Sequence, residues 1–138
     1  MLDGYGCDPT KLESQDYVRA FLDEFPEDIG MTKLMKPYVS KCGDAGHRNY
    51  GLSGFVLIAE SHVSVHTFPK EGSISVDVFS CRSFDVGIAE REIVKRFGIK
   101  RIERNVLDRG IDYPTSIGLA RELVGAERVA CELRHAGA

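Results

Sequence analysis

The sequence predicts an α+β fold: an antiparallel sheet with helices on one face, dimerising into a layered α/β sandwich. Three observations predict it. Residues 62–68 and 73–81 both alternate apolar and polar side chains across a short turn, the pattern of a hairpin. Apolar residues at helical spacing flank that hairpin on both sides. The chain has 138 residues, enough for one domain and too few for two of ordinary size.

Taken in order, the first helix is expected over residues 14–25. Tyr17, Val18, Phe21, Leu22 and Phe25 recur at helical spacing, and Pro26 closes the run. A weaker strand is expected over residues 32–39, at an edge or interrupted, because Pro37 lies inside it. Residues 43–51 form a polar loop rich in glycine. The continuous apolar run 55–59 suits a buried strand. In the next stretch Val63, Val65 and Thr67 face one way, and His62, Ser64, His66 and Phe68 the other. Residues 69–72 make a turn. Beyond it Ile74, Val76 and Val78 form an apolar face opposite Ser75, Asp77, Phe79 and Cys81.

Asp85 is the expected N-cap of a second long helix, with Val86, Ala89, Ile93 and Phe97 on one face and Gly98 at its C-terminus. A strand is expected over 100–107 and a last helix over 116–133, interrupted by Gly118 and Gly125. The helices cover one side of the sheet. A second copy of the chain could cover the other, which suits a domain with little core of its own.

Composition narrows the function. Net charge is -3, so no basic excess exists to neutralise phosphates, and no nucleic-acid partner is expected. No apolar run approaches a membrane span and no leader pattern opens the chain, so the expectation is a soluble, cytoplasmic protein with no membrane partner. Cys7, Cys42, Cys81 and Cys131 are scattered, with no Cys-x-x-Cys pair, so neither a metal site nor a disulfide framework is expected.

Ser53, Glu60, Ser61, His62, His66 and Cys81 fall within thirty residues of one another. Each alone reads as an ordinary strand residue: a serine on a strand, a solvated histidine, a small buried thiol. Alternation puts His66 and Cys81 on comparable faces of neighbouring strands without setting their register.

The ordered set is more specific. Gly51-Leu52-Ser53-Gly54, Ala59-Glu60-Ser61-His62, His66-Thr67-Phe68-Pro69 and Val76-Asp77-Val78-Phe79-Ser80-Cys81 resemble the prokaryotic S-adenosylmethionine decarboxylase family. Tyr5-Gly6-Cys7-Asp8-Pro9 resembles the end of its opening strand. Gly30-Met31-Thr32, Phe84-Asp85 and Arg109-Gly110 follow in the family's order. The resemblance covers roughly residues 4–110.

The resemblance implies a self-processing, pyruvoyl-dependent decarboxylase acting on a small-molecule substrate. Cleavage between Glu60 and Ser61 would divide the single domain, 1–138, into chains 1–60 and 61–138. Ser61 matches the serine that becomes the pyruvoyl group, the implied cofactor. Its hydroxyl attacks the Glu60 carbonyl to make an ester. Elimination and loss of ammonia then leave a keto group at the start of the downstream chain. Ser53 and His66 match residues that assist processing, His66 as the base. Cys81 matches the acid that protonates the substrate carbon after decarboxylation.

These residue types suit that chemistry. Decarboxylation leaves an electron pair that needs a sink, which a keto group joined to the substrate amine provides. A serine hydroxyl is a weak nucleophile until a base or geometry activates it. Histidine takes a proton near neutral pH, and a suitably tuned thiol returns one.

For substrate binding the resemblance points to Phe68 as a stacking partner for a purine, with Tyr50 or His47 as the second ring. Members that use S-adenosylmethionine commonly place a carboxylate just after the proline, on the ribose hydroxyls. Here Lys70 stands there and Glu71 follows. Arginine or ornithine, substrates of related enzymes, therefore stand as alternatives. An unprocessed regulatory subunit is the alternative from another class. The resemblance also implies a homodimer of processed protomers with active sites near the interface.

Overall fold

The computed structural model describes residues 1–44, 46–47 and 49–108. Six strands form one antiparallel sheet in the order β2-β3-β4-β5-β1-β6. They are β1 (Leu2–Tyr5), β2 (Tyr38–Cys42), β3 (Gly51–Ile58), β4 (Ser61–Phe68), β5 (Ser73–Ser80) and β6 (Arg101–Arg104). Three helices accompany them: α1 (Pro9–Glu13), α2 (Gln15–Asp28) and α3 (Val86–Phe97). The described fold is one unit, Met1–Leu107. Among its helices, none is long and apolar enough to cross a membrane.

The alternation seen in the sequence becomes the two faces of the sheet. Leu52, Val56 and Ile58 of β3, Val63 and Val65 of β4, and Ile74 and Val76 of β5 are all buried under the helices. Burying side chains of this size contributes roughly 1.5–3 kcal/mol each. Phe21, Phe25 and Phe97 close the core between α2 and α3, with Phe21 edge-on to Phe97 at 5.0 Å between centroids. Thr67 shares the apolar face yet is satisfied there. Its Oγ1 donates to the Leu12 carbonyl and accepts from the Leu52 N–H, each at 2.9 Å. A hydroxyl thus ties α1 to both strands without leaving a buried polar group unpaired.

Helix ends follow the side chains that flank them. Asp8, Ser14 and Asp85 cap α1, α2 and α3, each accepting from a backbone N–H in the first turn. Gly98 ends α3 in the left-handed conformation at φ 63°, which a residue without a Cβ adopts freely.

Several boundaries differ from the sequence reading. α2 continues past Pro26 to Asp28, because Pro26 is part of the buried face that holds the helix and only the last turn bears the lost hydrogen bond. The strand expected over 32–39 is displaced: β2 begins at Tyr38, after Pro37, and Lys33 makes only an isolated bridge to Ile58. β3 begins at Gly51, four residues earlier than its apolar run. β5 stops at Ser80, so Cys81 lies just beyond the strand. β6 ends at Arg104 instead of 107. β1 and the short α1 complete the order. The helix expected over 116–133, Arg109-Gly110 and Cys131 lie outside the described residues.

Gly54 is crowded by Leu22 of α2 and by β2. A Cβ there would lie 2.9 Å from Leu22 Cδ1, the Tyr38 carbonyl oxygen and Val39 Cγ2. Gly54→Val is expected to lower stability by about 1–3 kcal/mol through overpacking. Urea unfolding followed by circular dichroism measures it.

Candidate active site

The connection between β3 and β4 is two residues long, Ala59 and Glu60, and pairs Ile58 with Ser61. The residue that follows this tight turn is strained. Ser61 takes φ 150°, and among the described residues it is the one non-glycine with positive φ. Such a conformation costs on the order of 1–3 kcal/mol and persists only where neighbours enforce it.

Those neighbours hold Glu60. The Cys81 N–H donates to the Glu60 carbonyl oxygen at 2.9 Å. The Thr32 N–H donates to Glu60 Oε2 at 3.3 Å, and Arg82 Nη1 lies 3.7 Å from Oε1. The Ala59 N–H donates to the Thr32 carbonyl at 2.8 Å. Ser61 Oγ lies 3.2 Å from His62 Nδ1, and the His62 ring packs edge-on against Phe79. A polarised carbonyl, a strained peptide and a hydroxyl beside an imidazole thus occupy one turn. The arrangement suits attack by the hydroxyl on the preceding carbonyl.

A second group lies elsewhere on the sheet. Ser53 and His66 are paired across β3 and β4, with Ser53 Oγ 2.9 Å from His66 Nδ1. They belong to a polar rung on the open face, away from the helices. It runs Ser40, Ser53, His66, Ser75, Asp3, Glu103, one residue from each strand in sheet order. Within it Ser75 Oγ donates to Asp3 Oδ1 at 2.6 Å.

The register therefore separates residues that the sequence grouped. His66 sits opposite Ser75, whereas Ser61 sits opposite Ser80 and next to Cys81. Five residues of strand span about 17 Å. Within one chain His66 meets Ser53, and the imidazole on Ser61 is that of His62. Phe68 is at the far end of β4 from Ser61, exposed on the open face. Tyr50 immediately precedes β3 at that same end, with Lys41 Nζ 5.9 Å from its ring centroid. Glu71 is exposed in the turn after Phe68, and Lys70 Nζ donates to the Gly46 carbonyl at 3.1 Å. The three substrate-binding expectations thus cluster with Ser53 and His66, not with Ser61.

Residues 1–110 match the family model described as S-adenosylmethionine decarboxylase. The chain belongs to the S-adenosylmethionine decarboxylase family. It is 31% identical over 112 residues to an S-adenosylmethionine decarboxylase proenzyme of Aquifex aeolicus, covering 80% of this chain and 78% of that one. It is 32% identical over 107 residues to the proenzyme of the same name from Archaeoglobus fulgidus, covering 77% and 90%. The crystal structure of the adenosylmethionine decarboxylase from Aquifex aeolicus superposes with a TM-score of 0.64 at 30% identity. It covers 83% of this chain and 91% of that chain.

For a member of the S-adenosylmethionine decarboxylase family, two contacts at the turn had no signal in the sequence. Arg82 follows Cys81 as a single exposed-looking cation, and nothing in its spacing ties it to Glu60. His62 stands beside Ser61 in the chain but reads there as an ordinary strand histidine. The thiols differ as well. Burial pushes the Cys7 thiol up from its ordinary value, whereas Cys81 is exposed. Mild alkylation near pH 8 is expected to modify Cys81 well before Cys7, since the thiolate is the reactive form. Peptide mapping by mass spectrometry reads the order.

Proposed function

We propose that the chain is a pyruvoyl-dependent S-adenosylmethionine decarboxylase that makes its own prosthetic group by cleaving itself between Glu60 and Ser61. The observation that carries this reading is the turn itself: Ser61 at φ 150° directly follows a carbonyl that accepts the Cys81 N–H at 2.9 Å. The residues fit a precursor of a pyruvoyl group. The hydroxyl, a strained backbone at Ser61 and a donor on the scissile oxygen are all in place, and cleavage would release that conformational strain.

The chain's own groups then have distinct tasks. Cys81 N–H stabilises the negative charge that grows on the Glu60 oxygen as Ser61 Oγ attacks. An imidazole accepts the hydroxyl proton. Once formed, the pyruvoyl group supplies the keto function that takes up the electron pair left by decarboxylation. The exposed Cys81 thiol, beside the same turn, returns a proton to the substrate carbon.

A second copy completes the site in this reading. Ser53, His66, Phe68, Tyr50 and Glu71 are too far along the sheet to serve the Ser61 of their own chain. The open face that carries them also exposes Tyr38, Phe55, Leu57 and Phe68, an apolar surface a partner's sheet would bury. Antiparallel stacking of two such faces sets one chain's Ser53–His66 pair over the partner's turn. There His66 of one copy is the base for processing, and Phe68 and Tyr50 stack on the adenine while Glu71 takes the ribose. The relatives' names support S-adenosylmethionine over arginine or ornithine. The product would be the aminopropyl donor for spermidine.

Purified protein is expected to run as two fragments on a denaturing gel and to release carbon dioxide from carboxyl-labelled S-adenosylmethionine. Ser61→Ala should leave one band near 15.3 kDa and no release. Cleavage or release in that variant would end the reading. Shared sites make a second prediction. His66→Ala alone should stay uncleaved, but co-expression with a tagged Ser61→Ala chain should restore its cleavage, because the partner lends the imidazole. An uncleaved His66→Ala chain in that mixed dimer would place the whole site within one copy.

A further inference from the structure

The ion pair nearest the scissile bond has no task in the scheme above. Arg82 follows Cys81 just past the end of β5. Its backbone is held in place, since its N–H donates to Ser80 Oγ at 3.0 Å and Ser80 Oγ donates to the Arg82 carbonyl at 2.7 Å. Its guanidinium spans to the other side of the turn. Nη1 donates to the Gly30 carbonyl at 3.2 Å and stands 3.7 Å from Glu60 Oε1. The Glu60 side chain is only 12% exposed, against 46% for Arg82. Its other carboxylate oxygen accepts from the Thr32 N–H. Glu60 is therefore hydrogen-bonded at its carbonyl by Cys81 and at one side-chain oxygen by Thr32, while its other side-chain oxygen faces the Arg82 guanidinium.

Self-cleavage makes an unusual charge demand at this residue. Ser61 Oγ bonds to the Glu60 carbonyl carbon, the C–N bond breaks and the amine gains a proton. A base next removes the Ser61 Cα proton and the Cβ–O bond breaks, so that Glu60 leaves as a carboxylate. Water then replaces the nitrogen at the former Ser61 Cα, and ammonia departs. The leaving carboxylate is the second negative charge on Glu60, close to the first and in a mostly buried position. Repulsion between the two opposes departure unless a cation is near.

We infer that Arg82 is a positioning residue for self-cleavage: through the Glu60 side chain it holds the scissile carbonyl in place, and it offsets the second negative charge as the Glu60 carboxylate leaves. The inference rests on self-processing at Ser61 and deepens it. Arg82 has two roles in time, anchoring the carbonyl before ester formation and balancing charge during elimination. Losing the cation should slow both stages, and the elimination more, so that the ester that does form is slow to break.

The test follows fragment formation in freshly refolded full-length chains: unaltered, Arg82→Gln and Arg82→Lys. Thermal unfolding of each, in a Ser61→Ala background that cannot cleave, checks that the fold survives. The expected result is cleavage slowed about tenfold or more in Arg82→Gln, the size of one charge-assisted interaction lost in a transition state. Arg82→Lys should recover most of the rate. The Gln variant should also accumulate ester, which hydroxylamine splits to give a downstream fragment beginning with an intact Ser61, distinguished from pyruvoyl by mass. An unaltered rate in a folded Arg82→Gln chain would overturn the inference, as would equal slowing by Gln and Lys with no ester. If the unaltered chain itself never cleaves, the self-processing reading is what has failed.

Discussion

The register of β4 between its two neighbours is the constraint on which the rest of the structure depends. A two-residue connection leaves β4 one way to pair with β3, with Ser61 opposite Ile58. Every other position follows from that choice. Val63 and Val65 turn to the helices, His62, Ser64, His66 and Phe68 turn to the open face, and Ser53 meets His66. A slip of one residue would exchange the two faces and put histidines into the core. The same short connection leads into Ser61, which takes the strained backbone conformation at φ 150°.

The helices act through this register. Leu22 of α2 and the neighbouring β2 leave Gly54 no room for a side chain, and Thr67 fastens α1 to β3 and β4 by two hydrogen bonds. A rigid, dry face on one side leaves the opposite face free to carry polar and aromatic groups without weakening the core. Arg96 reinforces the outer layer, joining α3 to Glu24 and Asp28 of α2 at 2.7 Å each. These partly exposed pairs align the helices more than they stabilise them.

The chemistry is divided in the same way as the sheet. Charge and strain gather at the Glu60–Ser61 turn, where the backbone N–H of Cys81 and the side chains of Arg82 and Glu60 meet. The Ser53–His66 pair and the exposed ring of Phe68 lie at the other end of the same strands. In the proposed scheme these two groups are brought together by pairing the open faces of two copies.

Much of this was legible in the residues. Strict alternation in β4 and β5 stated which side chains face the core, because a strand has a period of two. Asp85 and Gly98 marked the ends of α3, because capping is local chemistry. The order of Ser53, Glu60-Ser61, His66 and Cys81 pointed to the family. Distances were not legible. Spacing along the chain placed Ser61, His66 and Cys81 in one group, but only pairing between strands decided that Cys81 joins Ser61 while His66 joins Ser53. Pro26 reads as a helix end, yet tertiary burial carries α2 past it. Arg82 and Thr32 reach Glu60 from segments far apart in sequence, and no local pattern encodes such a meeting. By itself the sequence determined the elements, their buried faces and the reactive residue types, all of which depend on near neighbours. The tertiary structure alone decided which of those residues touch, because contact between strands depends on register.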